Sequence, residues 1–128
     1  MQYEYFYGAQ AEQFSFYRIP KALFTEPNFR ELSTDAKVLY GILLDRMSLS
    51  LKNQWLDAQN KVYIIFTVEE IMDALNCANQ KATRLMVELE KQAGLIERKR
   101  QGLGRPNLIY EKNFAATIND KSCEKGDS

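Results

Sequence analysis

Five polar side chains crowded into six consecutive residues are of types that suit hydrogen bonding to base pairs. They are Asn79, Gln80, Lys81, Thr83 and Arg84. Arginine can donate two hydrogen bonds to guanine, glutamine can form two with adenine, and threonine offers a methyl group to thymine or a hydroxyl to phosphate. Lysine more often fixes a protein on the phosphate backbone. We therefore predict that this group contacts double-stranded DNA.

A second group consists of cations around two glycines. It contains Arg98, Lys99, Arg100 and Arg105, which surround Gly102 and Gly104. The whole chain has 17 basic and 17 acidic side chains and a formal net charge of +0, so only this local excess favours a polyanionic partner. Glycines let the backbone approach a phosphate, and an arginine beside them can enter a minor groove. Taken alone, a basic hairpin could instead be a solvated edge that prevents aggregation.

The first polar group is predicted to lie at the start of the second helix of a helix-turn-helix. The Thr-x-x-Glu sequence at 67–70 has the form of a capping box and indicates a helix that runs to Leu75. Small and turn-favouring residues follow at 76–78, after which Asn79 can cap a helix that lasts until Gly94. Two helices joined by three or four residues form a helix-turn-helix.

The apolar spacing of this second helix predicts which way its polar residues face. One side carries Ala82, Leu85, Met86, Leu89 and Ala93. At about 100° per residue, Gln80 and Arg84 then point away from the core, and helix-turn-helix proteins place this N-terminal end against base edges. The simpler interpretation is that any amphipathic helix exposes polar residues to solvent.

β-Strands are predicted on both sides of the helix-turn-helix. Residues 95–100 and 108–110 have strand character and flank a turn at 101–107 that contains glycine and proline, which indicates a β-hairpin, or wing. Residues 62–66 alternate β-branched and aromatic side chains and predict a further strand, with Asp57–Asn60 turning the chain into it.

A central buried helix is predicted to begin near Ser33. Leu39, Leu43 and Met47 recur after it at helical spacing. The elements together predict an α+β, mainly helical fold: a winged helix-turn-helix at 33–114 with a small antiparallel sheet.

The first 32 residues are predicted to form an N-terminal arm. Nine of the fifteen aromatic residues lie within the first 29 positions, without a helical or alternating period. The arm can pack on its own core, or it can lie across a partner subunit, because aromatic residues are enriched in interfaces. For a homodimer we assign the contact to Tyr5, Phe6, Tyr7, Phe14 and Phe16. The small polar tail at 115–128 is predicted to be a disordered linker.

Several classes of protein do not fit this composition. Histidine is absent and the two cysteines form no CxxC pattern, so we expect no metal site, no cofactor and no histidine-based catalysis. The sequence contains no P-loop and no recognisable carboxylate pair that would indicate an enzyme. The sequence has neither an apolar run of membrane-spanning length nor a signal peptide, which predicts a cytoplasmic protein without membrane contact.

Three stretches resemble a known family. They are FSFYRIPKALF at 14–24, VYIIFTVEEIMDAL at 62–75 and LIERKRQGLGRPNLIY at 95–110. From Gln13 to Phe114 the chain resembles plasmid replication initiators of the RepA N-terminal-domain family. The resemblance implies a dimeric domain that binds repeated sequences at replication origins of low-copy plasmids and related elements in Gram-positive bacteria. Full-length members carry a further C-terminal domain, which implies that host replication proteins are contacted by a part beyond this chain.

The resulting hypothesis is origin binding, with the second helix in the major groove and the wing on the backbone or in the minor groove. A transcriptional repressor, for example of its own operon, would use the same contacts and would differ only in the location of its operator. A winged-helix module for protein contacts would instead bind duplex DNA weakly or not at all.

Overall fold

The computed structural model describes residues 2–116 and has four α-helices and one β-hairpin in that range. The helices are α1 (Ala22–Thr25), α2 (Thr34–Lys52), α3 (Val68–Leu75) and α4 (Asn79–Val87), the last continued by a π-helical turn (Glu88–Gln92). The strands are β1 (Ile96–Lys99) and β2 (Leu108–Glu111), and short 3-10 helices lie at Gln10–Gln13, Pro27–Phe29 and Phe114–Ala116. This arrangement confirms the predicted mainly helical class with a small antiparallel sheet. The predicted tail lies outside the described residues, except that Ala115 and Ala116 belong to the last 3-10 helix.

Helix α2 is the centre of the core. Its N-cap is Ser33, as predicted, whose hydroxyl oxygen accepts a hydrogen bond from the Ala36 amide at 3.1 Å. Leu39 and Leu43 are completely buried. The helix continues beyond Met47 to Lys52.

The packed body begins before Ser33, earlier than the predicted boundary of the arm. Leu23, Phe29 and Leu32 belong to the buried core cluster. The chain before α1 lies close to α2 at Gly41. A Cβ added to this glycine would lie 2.8 Å from the Ile19 side chain and 2.9 Å from the Arg18 carbonyl oxygen. The chain from Ile19 onward is thus part of the core, because apolar residues spaced without a regular period still pack when short helices present them.

The predicted strand at 62–66 is wrong, since only isolated bridges form there, at Val62 and Ile64. Val62 pairs with Leu56, whereas Ile64 pairs with Ile109 of β2. A segment that changes its partner after two residues cannot build a regular ladder, and α3 begins immediately afterwards. The turn that precedes it is confirmed, because Asp57 and Lys61 are joined by a backbone hydrogen bond of 3.0 Å.

The helix-turn-helix is present with one correction. The capping box is confirmed, since the Thr67 hydroxyl accepts from the Glu70 amide and the Glu70 carboxylate accepts from the Thr67 amide. Asn76, in the left-handed conformation, ends α3. Asn79 does not cap α4: the N-cap is Ala78, without a side-chain hydrogen bond, and Asn79 is the first helical residue. Its side-chain oxygen faces the Thr83 hydroxyl, one turn along the helix, at 3.5 Å.

Candidate nucleic-acid interface

Helix α4 separates apolar from polar side chains as predicted. Ala82, Leu85 and Met86 are buried at 2% exposure or less. The exposed side of the first two turns carries Asn79, Gln80, Thr83 and Arg84. Because the opposite face is fixed in the core, these four side chains project from a helix whose position is already set.

Lys81 is less free than its four neighbours. It is half-buried, and its ammonium group lies 2.7 Å from a carboxylate oxygen of Asp35, in the first turn of α2. Since both side chains remain about half exposed, such a pair contributes at most about 1 kcal/mol to stability. The contact joins the start of α4 to the start of α2, and the assignment of Lys81 to a phosphate remains a prediction.

The buried acid Glu88, which directly follows α4, forms a second contact between this helix and the start of α2. Its carboxylate accepts hydrogen bonds from the Ser33 amide at 2.9 Å and from the Ser33 hydroxyl at 3.0 Å. An anion is favourable at a helix N-terminus, where backbone N–H groups lack partners. Sequence reasoning missed this residue, although its position three residues after Leu85, on the apolar side of the helix, was a usable signal.

In the wing, Arg98 points back to α4 rather than outward. Its guanidinium lies 2.7 Å from the carboxylate of Glu90 in the π-helical turn, and its backbone amide also donates to Glu90. Burial raises the pKa of Glu90, but the hydrogen bonds and the charge of Arg98 outweigh burial, so the pKa lies below its usual value. Arg98 therefore fastens the wing to the end of α4, and it is the least accessible of the four predicted wing cations.

The other three wing cations lie near the tip and are exposed. Lys99 ends β1, and Arg100 and Arg105 lie in the connecting loop. Inside the loop the Gln101 side-chain amide donates to the Pro106 carbonyl at 2.8 Å, which holds its two sides together.

The aromatic arm is exposed in the single chain. The five side chains assigned to dimerisation, Tyr5, Phe6, Tyr7, Phe14 and Phe16, are between 53% and 83% exposed. Phe6 and Phe14 meet edge to face with ring centroids 5.9 Å apart, and Phe14 meets Phe16 at 6.3 Å. The assignment of these five side chains to a dimer contact remains a prediction.

At the base of the wing, the half-buried acid Glu111 differs from Glu88. Both of its carboxylate oxygens are buried, and neither has a hydrogen-bond partner among the described residues. Burial raises the pKa of Glu111 to about 8. It lines a pocket of about 620 Å³ together with Tyr40, whose hydroxyl donates to the Lys112 carbonyl at 3.2 Å. Burial and the nearby Glu111 carboxyl also raise the pKa of Tyr40.

Between residues 2 and 116, no helix combines the length and apolar character needed to cross a membrane. In that range no three acidic or cysteine side chains come together as a metal site.

Comparison with known proteins identifies the family. Residues 15–125 match the family model described as the N-terminus of replication initiator protein A, RepA. A 41 kDa protein of Lactobacillus helveticus is 31% identical over 103 residues, which are 80% of this chain but 28% of that relative.

Solved structures agree with this match. One described as the N-terminal domain of a DNA-binding protein has a TM-score of 0.75 and 36% identity, and the match covers 98% of this chain and 94% of that one. One described as a Rep–DNA complex has a TM-score of 0.72 and 39% identity, over 86% of this chain and 84% of that one. One described as an MDR initiator also has a TM-score of 0.72 and 39% identity, over 98% and 99%. The chain belongs to the family of replication initiator protein A N-terminal domains.

Proposed function

We propose that this chain binds double-stranded DNA at repeated sequences of a replication origin and so serves the initiation of replication. The observation that carries the proposal is the exposed polar start of α4, with Gln80, Thr83 and Arg84 held outward by a packed helix. Membership in the initiator family and similarity to the protein of a Rep–DNA complex support it.

Helix α4 reads the major groove in this proposal. Arg84 and Gln80 are long enough to form paired hydrogen bonds with guanine and adenine, and Thr83 lies beside them. The helix has no side-chain cap at its N-terminus, since Ala78 occupies the cap position. Its first backbone N–H groups therefore remain able to donate to a phosphate while the side chains reach the bases.

The wing contacts the adjacent backbone or minor groove. Lys99, Arg100 and Arg105 supply the charge, and Arg98 holds the hairpin against α4 through Glu90. The two contact elements thus approach DNA as one unit, which fixes the spacing between the major-groove and the wing contacts.

Two copies bind together through the arm. The exposed aromatic side chains of residues 3–17 become buried between subunits, and the dimer sets the separation of the two half-sites. The chain spans 28% of the length of the Lactobacillus helveticus relative. Contacts with host replication proteins accordingly belong to parts of the initiator other than this one.

Footprinting on the origin region of the parent replicon tests the proposal. We expect protection of repeated sequences and binding to one repeat that is about a thousandfold or more tighter than to random duplex at physiological salt. Equal affinity for both duplexes would contradict origin recognition, and no affinity for either would favour a module for protein contacts. Protection confined to a promoter would favour a repressor.

A further inference from the structure

One side chain at the tip of the wing is unusual because it is apolar. Leu103 is fully exposed, at 102%. The next most exposed large hydrophobic side chains among residues 2–116 are Tyr3 and Tyr5, at 83%. Single exposed leucines are common on protein surfaces, so exposure alone assigns no role to this one.

The surroundings of Leu103 set it apart. Gly102 and Gly104 flank it, with φ values of +117° and +77° that disfavour any other residue. A Cβ built on either glycine would meet no atom within 4 Å. Packing in the free protein does not require these glycines, and their effect is a narrow tip from which one leucine projects without neighbouring side chains.

Cations stand on both sides of this tip. Arg100 precedes it and Arg105 follows it, and both are exposed. The order along the loop is therefore cation, apolar side chain, cation. The minor groove of DNA, which is about 6 Å wide, has a matching order. Phosphates line both of its rims, and sugar and base surfaces lie between them. Apolar side chains that enter it can separate base steps and kink the duplex.

We propose that Leu103 enters the minor groove as an apolar wedge, while Arg100 and Arg105 contact the phosphates on its two rims. This inference rests on the proposed DNA binding and adds a bend in the bound duplex. Transfer of the Leu103 side chain out of water favours formation of the complex. Because this side chain packs against no other in the free chain, its insertion breaks no contact within the protein.

The test uses Leu103→Ala in the full chain, with Leu103→Met as the variant that keeps an apolar wedge. Leu51→Ala is the control, because Leu51 is an exposed leucine of α2, at 54%, outside both α4 and the wing. The probes are a duplex of about 30 base pairs that carries the footprinted repeat and a random duplex of equal length, labelled at both ends for energy transfer.

We expect Leu103→Ala to lower affinity for the repeat by about tenfold and to lengthen the end-to-end distance of the bound duplex. The slope of log affinity against log salt should stay the same, because no phosphate contact is lost. Leu103→Met and Leu51→Ala should behave as the unaltered chain does.

Two results would overturn the inference while leaving DNA binding intact. One is a Leu103→Ala variant with unaltered affinity and bend. The other is a variant that changes only the sedimentation coefficient, which would place Leu103 in a contact between proteins. Failure of the unaltered chain to prefer the repeat would count against the proposed function itself.

Discussion

Helix α4 and the aromatic arm are both assigned to contacts with partners, but the chain prepares them in opposite ways. The inward face of α4 is buried at 2% exposure or less at Ala82, Leu85 and Met86, so its outward side chains are positioned before any partner arrives. The aromatic side chains of residues 3–17 are more than half exposed, and Phe14 meets the rings of Phe6 and Phe16. A pre-ordered surface binds with little conformational cost, whereas the arm has to be ordered by what covers it.

Deleting residues 2–12 should have the largest effect, because it removes Tyr5, Phe6 and Tyr7 from the arm and leaves α4 intact. We expect the chain to sediment as a monomer and to lose about 10²- to 10⁴-fold in affinity for DNA with two half-sites. Affinity for a single half-site should hardly change.

The melting temperature provides a control for this deletion. For the unaltered dimer it should rise with protein concentration, and for the shortened chain it should not. An unchanged mass in sedimentation would show that the rings of the arm serve only to pack against one another.

The buried carboxylate oxygens of Glu111 lack hydrogen-bond partners among the described residues, and this group should make the stability of the protein depend on pH. Its pKa rises from 4.5 to about 8 on folding. Between those values the folded protein keeps a proton that the unfolded chain has lost, so the free energy of unfolding falls by up to about 1.4 kcal/mol for each unit of rising pH. Below this range the contribution of the group to stability is complete.

Glu111→Gln is uncharged throughout and should remove this fall, so that the variant is more stable than the unaltered chain at about pH 8. Urea unfolding at several pH values measures the difference. Glu97→Gln is the control, because Glu97 lines the same pocket but is exposed. Parallel stability curves for the unaltered chain and Glu111→Gln would show that the carboxyl group is solvated.

Arg84→Ala tests whether the pre-ordered face of α4 reads bases. The variant should lose about 1–3 kcal/mol of binding free energy on the cognate repeat and should relax preference at one base pair. Binding to a library of single-base variants of the repeat measures both. Arg30→Ala, at an exposed arginine outside α4 and the wing, is the matched control. An equal loss on random duplex would assign Arg84 to phosphate.

The wing cations should have a smaller effect that is independent of sequence. Lys99→Ala and Arg100→Ala should each weaken binding to cognate and random duplex alike and reduce the salt slope by about one unit. Arg98→Ala is the informative contrast, because its charge is engaged by Glu90 and its removal should leave the slope almost unchanged. Equal slopes for all three variants and the unaltered chain would remove the wing from the interface.

The parts of the fold that local signals determine were predictable. Helical spacing located α2, α3 and α4, the capping residues Ser33 and Thr67 located the starts of α2 and α3, and the glycines at 102 and 104 located the tip of the wing. The outward direction of Gln80 and Arg84 followed from the same spacing. Which of these exposed side chains touch bases stays a prediction.

What could not be predicted depends on contacts between distant parts of the chain. Glu88 and Ser33 are 55 residues apart, and the sequence does not reveal that one caps the helix of the other. Likewise, the sequence does not reveal that Ile64 forms an isolated bridge with Ile109 instead of belonging to a regular strand. The segment from Ile19 to Leu32 lacks a period, and only the folded structure shows that Leu23, Phe29 and Leu32 are buried.

In the π-helical turn at the end of α4, the number of residues matters more for the structure than which residues they are. Glu88 and Glu90 lie two residues apart and hold opposite neighbours, the start of α2 and the first strand of the hairpin. Loss of Leu89, which lies between them, would rotate Glu90 and everything after it by about 100° relative to Glu88, so the two attachments could not form together. Homologous chains should therefore tolerate substitutions at this position more readily than insertions or deletions.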